Sequence, residues 1–240
     1  MKKERKPVSY RDLSFRTIRE KRYSHLFLLL GWVGYFLLYT LTENLIPAEN
    51  CHVIHCALDD VIPFCEGFLI FYVSWYALIV LSLLYFLRWD VDSFKKLPVF
   101  IMITQAVAML IYILWPSRQD LRPEVFPRQN FLTWVMGVIY GFDTNTGVCP
   151  SLHVAYSIGI ASVWLRQKEV RPIWRGLIAL LCALISISTA FVKQHSVLDI
   201  YAAIPVCLLA EYLVFGRTGV NRWIEGNRAA HTAPGSRPRR

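Results

Sequence analysis

Two histidines and an aspartate carry the chemistry that this sequence offers. His195 is followed four residues later by Asp199, so on a helix the two share one face. A carboxylate placed there accepts the proton of one ring nitrogen, fixes the tautomer and leaves the other nitrogen free as a nucleophile. His153 lies in Cys149-Pro150-Ser151-Leu152-His153, where Pro150 and Ser151 precede an apolar run and mark a helix start with Ser151 as its cap. His153 then falls in the first turn, where free backbone N–H groups and the helix dipole favour an anion. Taken singly, each histidine is equally well read as an interfacial residue that tolerates water. Taken together they suit phosphoryl transfer. His195 attacks in line and His153 protonates the leaving oxygen. Arg122, Lys193 and Arg118, with the Ser151 helix start, hold the non-bridging oxygens. No Asp/Glu cluster resembles a metal cage for this step, so a metal-free covalent route and no cofactor are expected.

These groups need a scaffold, and the composition points to a membrane. Of the 240 residues 55% are hydrophobic, above the 45–50% usual for a soluble domain, and the mean hydropathy is +0.38. A helix crossing a bilayer needs about 20 mostly apolar residues. Six such spans are predicted, over 25–46, 67–87, 99–115, 151–165, 176–192 and 197–215. The fourth is short and is expected either to be buried in the bundle or to extend past Arg166. Residues 131–142 are apolar but too short to cross, and read as an interfacial or re-entrant helix. The fold class expected is an all-α, integral membrane six-helix bundle spanning 25–215. A basic cytoplasmic segment precedes it over 1–24, and a disordered cytoplasmic tail follows over 216–240.

The charge distribution orients this bundle. Net charge is +9, and 22 of the 26 Lys and Arg fall in 1–24, 88–98, 166–175 and 216–240. Six spans put all four segments on one side, which the excess of cations marks as cytoplasmic. The other four, Arg118, Arg122, Arg128 and Lys193, fall on the opposite side, beside the histidine motifs. Cations that break the rule call for a local reason, and binding an anion supplies one. No basic face with interleaved aromatics is present, so nucleic acid is not an expected partner. Without a convincing internal repeat, an inverted-repeat transporter is disfavoured.

At this point the sequence resembles a known family. Pro150-Ser151-x-His153, together with Ser188-x6-His195-x3-Asp199, resembles the second and third signatures of the type-2 phosphatidic acid phosphatases, and Arg122-Pro123 resembles the end of the first. The likeness covers residues 60–215. It implies a six-helix bundle, His195 as the residue that becomes phosphohistidine, Asp199 as its partner, His153 as the leaving-group acid, and no metal requirement. Three positions depart from the pattern. Trp115 stands where the family has Lys, Leu152 where it has Gly, and Thr189 where it has Arg, with Arg118 and Lys193 as the available substitutes. Pro-Ser-Leu-His is closer to the inositol phosphorylceramide synthase-like branch, which moves a phospho-headgroup between lipids.

The expectation is therefore a multi-pass cell-membrane enzyme with its site facing outward. It would be a lipid phosphatase or phosphotransferase acting on a phospholipid or lipid phosphate, with water or a lipid or polyol acceptor. The alternatives are a phospho-headgroup transferase of the synthase type, and a non-catalytic protein that binds lipid or carries haem through His153 and His195.

Other features have plainer readings. Cys51, Cys56, Cys65 and Cys149 fall outside, where a disulfide among them is expected with its pairing open; a metal at Cys51-His52-Val53-Ile54-His55-Cys56 is the lesser reading. Asp59, Asp60 and Glu66 read as a solvated loop or, more sharply, as recognition of a polyol or cationic headgroup. Glu211 in the last span is left between the bundle interior and the cytoplasmic interface.

Overall fold

The computed structural model describes residues 7–226, and the expectations for 1–6 and 227–240 lie outside them. Its architecture is helical. A 3-10 helix over Lys21–Leu30 runs into α1 (Gly31–Leu45), and a short α2 (Ala57–Val61) lies in the first connecting segment. There follow α3 (Leu69–Trp89), α4 (Val91–Leu114), α5 (Phe131–Phe142), α6 (Leu152–Leu165), α7 (Pro172–Phe191), α8 (Val197–Phe215) and α9 (Gly219–Gly226). Among the described residues, strand is confined to a two-residue parallel pair, β1 (His52–Val53) beside β2 (Ser117–Arg118).

Among the described residues, five helical stretches are long and apolar enough to cross a membrane: Lys21–Thr40, Glu66–Trp89, Val91–Leu114, Pro172–Phe191 and Val197–Phe215. Their outward faces carry large apolar side chains, such as Ile70, Leu81 and Leu84 on α3 and Ile204, Leu208 and Tyr212 on α8. That is the surface of a multi-pass membrane protein, whose solvent is lipid. The expected fourth span is α6, which at 14 residues falls short of that length.

α6 is instead the centre of the bundle, packed against α3, α4, α7 and α8. Leu152, Val154, Ala155, Tyr156, Ile160 and Val163 are all buried, on every side of the helix. Close approach to α4 requires glycine at 159, because a Cβ there would sit 2.5 Å from Phe100 Cδ1. Between spans, polar side chains meet in pairs: Trp164 Nε1 donates to Ser82 Oγ at 2.9 Å, and the Tyr156 hydroxyl to Gln105 Oε1 at 3.0 Å. Such bonds contribute about 0.6 kcal/mol each in a membrane bundle.

Two boundaries differ from expectation for local reasons. The charged stretch 88–98 is not a connector: Asp90 alone separates α3 from α4, and its carboxylate caps α4 by accepting from Ser93 N. Pro98 is accommodated within that helix. At the other end, Gly219–Gly226 is helical and buries Ile224, so the tail is ordered at least that far. Glu211 is also placed. It accepts from Ser162 Oγ at 2.5 Å and pairs with Arg166 at the far end of α6 from His153.

At the His153 end, the connecting segments knit into a platform. His52 N donates to the Pro116 carbonyl and Ile54 N to that of Arg118, while Gln119 N bonds the Asn145 carbonyl. Gly147 returns the chain at φ +60°, a conformation glycine adopts without steric cost, and its N–H bonds Ser117. α5 starts under the Asn130 side chain, which accepts from Leu132 N and Thr133 N.

Candidate active site

α6 and α8 begin side by side, and this brings the chemistry-bearing residues together. Ser151 caps α6 by accepting from Val154 N, and its own N–H donates to the Asp199 carbonyl at 3.1 Å. Ser196 caps α8, with Asp199 as the reciprocal partner that accepts from Ser196 N at 3.0 Å. The same Asp199 oxygen lies 3.2 Å from His195 Nδ1. Asp199 is fully buried and His195 nearly so. The imidazole ring of His153 stands 5.9 Å from that of His195, tilted by 62°. Tyr72 and Trp75 of α3 pack on the His153 ring at 4.4 and 4.3 Å.

Both histidines line a cavity of about 810 Å³, within the range of ligand sites. Its walls are apolar and aromatic, from Trp32, Tyr35, Phe36 and Tyr39 of α1 and Trp75, Tyr76, Ile79 and Leu83 of α3. Asp143, Thr144 and Gln194 join His153 and His195 in its lining, with Thr40 and Thr146 as further polar groups.

The cations are arranged differently from expectation. Arg122 is closest to the site, but its guanidinium donates to the carbonyls of Tyr140, Asp143 and Thr144 and to Gln194 Oε1 at 2.6 to 3.1 Å. It also lies 4.6 Å over the Tyr140 ring. Burial holds its pKa below the usual value, with Asp143 opposing that shift. Arg122 therefore fixes the rim of the cavity. Gln194 carries the link inward, because its Nε2 donates to Asp143 Oδ2 at 3.2 Å.

Lys193 departs further from the expected phosphate contact. Its ammonium donates to the carbonyls of Asp59 at 2.7 Å and Ile62 at 2.5 Å, and burial lowers its pKa. Its backbone sits at φ 54°, a conformation costing a side-chain-bearing residue of order 1–3 kcal/mol. Arg118 bonds the Ala48 carbonyl and pairs with Asp120. Arg128 forms a two-bond pair with Glu66. None of these three lines the cavity.

Several expectations for the first connecting segment are revised. Asp59 is 2% exposed and is not part of a solvated loop. All six cysteines are free thiols, so the expected disulfide is not formed. Cys149 lies beside Asp199, and burial together with that carboxylate pushes its thiol up to about 12. His52 stacks on Trp115 and His55 pairs with Asp60. Among the described residues no group of three or more His, Cys, Asp or Glu is placed to hold a metal ion.

Tyr72, Trp75, Asp143 and Gln194 were not singled out in the sequence. Gln194 carried one signal, its position directly before His195. No family model, curated protein or solved structure matches the chain.

Proposed function

We propose that this protein is a membrane enzyme that cleaves a phosphate ester or phosphodiester of a lipid through a phosphohistidine intermediate. One observation carries the reading: His195, held at Nδ1 by Asp199 at 3.2 Å, stands beside His153 in the lining of a largely apolar cavity of about 810 Å³. The resemblance of these same residues to the type-2 phosphatidic acid phosphatase signatures supports it.

With Nδ1 turned to Asp199, Nε2 of His195 is the attacking atom. It forms a bond to phosphorus as the bond to the leaving oxygen breaks, and Asp199 stabilises the cationic ring that results. His153 delivers a proton to the leaving alcohol or diphosphate-linked lipid. It then takes one from the incoming water or hydroxyl, which frees His195. The apolar cavity takes the lipid chain and excludes water. Arg122 contributes through the rim it fixes, with Gln194 between it and His195. In this reading α6 also crosses, as the fourth of six spans, both termini are cytoplasmic and the site faces outward.

The test uses purified protein, a short-chain phosphatidic acid and a set of acceptor alcohols, with chelator present throughout. Phosphate release, or a phospho-product that depends on the acceptor, is expected from the wild type and absent from His195→Ala. Equal turnover by His195→Ala discards the mechanism. Retention of unreacted lipid with no product in any variant leaves a binding protein.

A further inference from the structure

The turn between α7 and α8 contributes two neighbouring residues to the cavity, Gln194 and His195. The residues flanking that pair are both bonded to one residue 134 or more positions away. On the near side, the Lys193 ammonium donates to the Asp59 carbonyl oxygen at 2.7 Å. On the far side, Ser196 Oγ donates to Asp59 Oδ2 at 2.6 Å and Val197 N donates to Asp59 Oδ1 at 2.8 Å. Both carboxylate oxygens are thus engaged with the start of α8. Oδ2 also accepts from Cys56 N, which ties the carboxylate to its own short helix.

We propose that Asp59 is a positioning residue that sets the His195–Asp199 pair from the first connecting segment. The reasoning is geometric. Lys193 holds a left-handed backbone conformation, which persists only where its surroundings over-determine it. Asp59 and Ile62 supply that restraint through the ammonium. Ser196 and Val197 fix where α8 starts, and Asp199 lies in its first turn. A carboxylate at that start also suits the positive end of the helix dipole. With both flanks fixed, His195 has little freedom to leave the 3.2 Å contact with Asp199. Removing the carboxylate releases one flank, and the imidazole then samples other orientations.

The inference rests on the proposed chemistry only for its effect on turnover, so the test has a readout that needs no substrate. The full chain is labelled with 15N-histidine, and the His195 nitrogens are assigned by their loss in His195→Gln. The wild type is expected to show one tautomer, with the proton on Nδ1. Asp59→Asn is expected to show a mixture of tautomers. Ser196→Ala, which removes one of the two bonds from α8 to the Asp59 carboxylate together with the cap on Leu198 N, provides the same comparison should the buried Asp59 variant fail to fold. Initial rates on the short-chain phosphatidic acid give the second readout. kcat is expected to fall by about 10²-fold, the scale of a 1 Å misplacement, with KM nearly unchanged and partial recovery in Asp59→Glu. Unaltered His195 nitrogen signals in a folded Asp59→Asn or Ser196→Ala protein overturn the inference. A wild type without turnover speaks against the proposed function alone, since the nitrogen signals still decide the role of Asp59.

Discussion

The Tyr72 ring lies flat against the His153 ring, with centroids 4.4 Å apart and planes 24° from parallel. Tyr72 is fully buried, so this contact is part of the packing of α3 against α6 as well as of the site. Tyr72→Ala is expected to cost about 3 kcal/mol or more of stability, as a buried aromatic does on truncation, and to release His153. Tyr72→Phe keeps the ring and is expected to retain both fold and turnover. Thermal melts and initial rates of the two variants check this, and a sharp loss in Tyr72→Phe would show that the hydroxyl rather than the stack matters.

Asp199 holds His195 through one oxygen. Asp199→Asn preserves the shape but offers an amide where the imidazole needs an acceptor, which favours the wrong tautomer. Turnover is expected to fall by up to about 10⁴-fold, as in the comparable protease triad, with expression intact. His153→Ala differs in kind. It removes the proton donor, so a substrate with a good leaving group should still load His195. Trapping radiolabelled phosphate on the protein separates the two variants.

Arg122, Lys193 and Arg118 are expected to rank in that order of loss on change to alanine, but for different reasons. Arg122→Ala frees three carbonyls and Gln194 at the rim, and a loss of about 10²-fold, the scale of a 1 Å misplacement, is expected. Lys193→Ala acts through the Asp59 contact and should lower kcat rather than raise KM. Arg118, bonded to Ala48 and Asp120, should matter least. Saturation curves for all three, with chelator present, test the ranking; normal activity in Arg122→Ala removes the rim from the mechanism.

Acid should loosen the first connecting segment. Burial alone would raise the Asp59 carboxyl, but hydrogen bonds from Ser196, Val197 and Cys56 outweigh it and hold the group below the usual 3.8. A carboxyl whose folded-state pKa is depressed stabilises the protein fully above its unfolded value and loses that contribution as pH falls through the folded value. The wild-type melting temperature should therefore drop below about pH 4, and the drop should be shallower in Asp59→Asn. Parallel slopes in the two proteins would contradict this.

Orientation has a direct measurement. In a cysteine-free background, single cysteines at the exposed positions 120 and 168 are treated with an impermeant maleimide on intact cells. Position 120 is expected to react and position 168 only after lysis. Reaction at both positions in intact cells would mean that α6 does not cross.

Much of the site was legible because helical periodicity is local. Four residues separate His195 from Asp199, and Pro150-Ser151 marks the start of α6, so their placement needed no distant information. Lys193 was misplaced because its side chain turns back to carbonyls 131 and 134 positions away. Asp143 and Gln194 meet across 51 residues with no local pattern to announce it. The start of α4 was hidden by charge, since Arg88, Asp90, Asp92, Lys95 and Lys96 suggest a loop although Asp90 is a cap. Asp59 was obscured by acidic neighbours, which usually mean solvent.

The shortness of α6 bears on how the protein sits in its bilayer. Fourteen helical residues rise about 21 Å, against a hydrocarbon layer of about 30 Å. Its neighbours are long enough for the full layer, so one or both ends of α6 are recessed, and His153 sits in its first turn. Under the proposed function, recession of the His153 end would bring the substrate's phosphate below the headgroups and make local membrane thickness a variable of turnover. Thinner bilayers, which cost only fractions of a kcal/mol per Å to match, would bring that end nearer to water and to the polar part of the substrate.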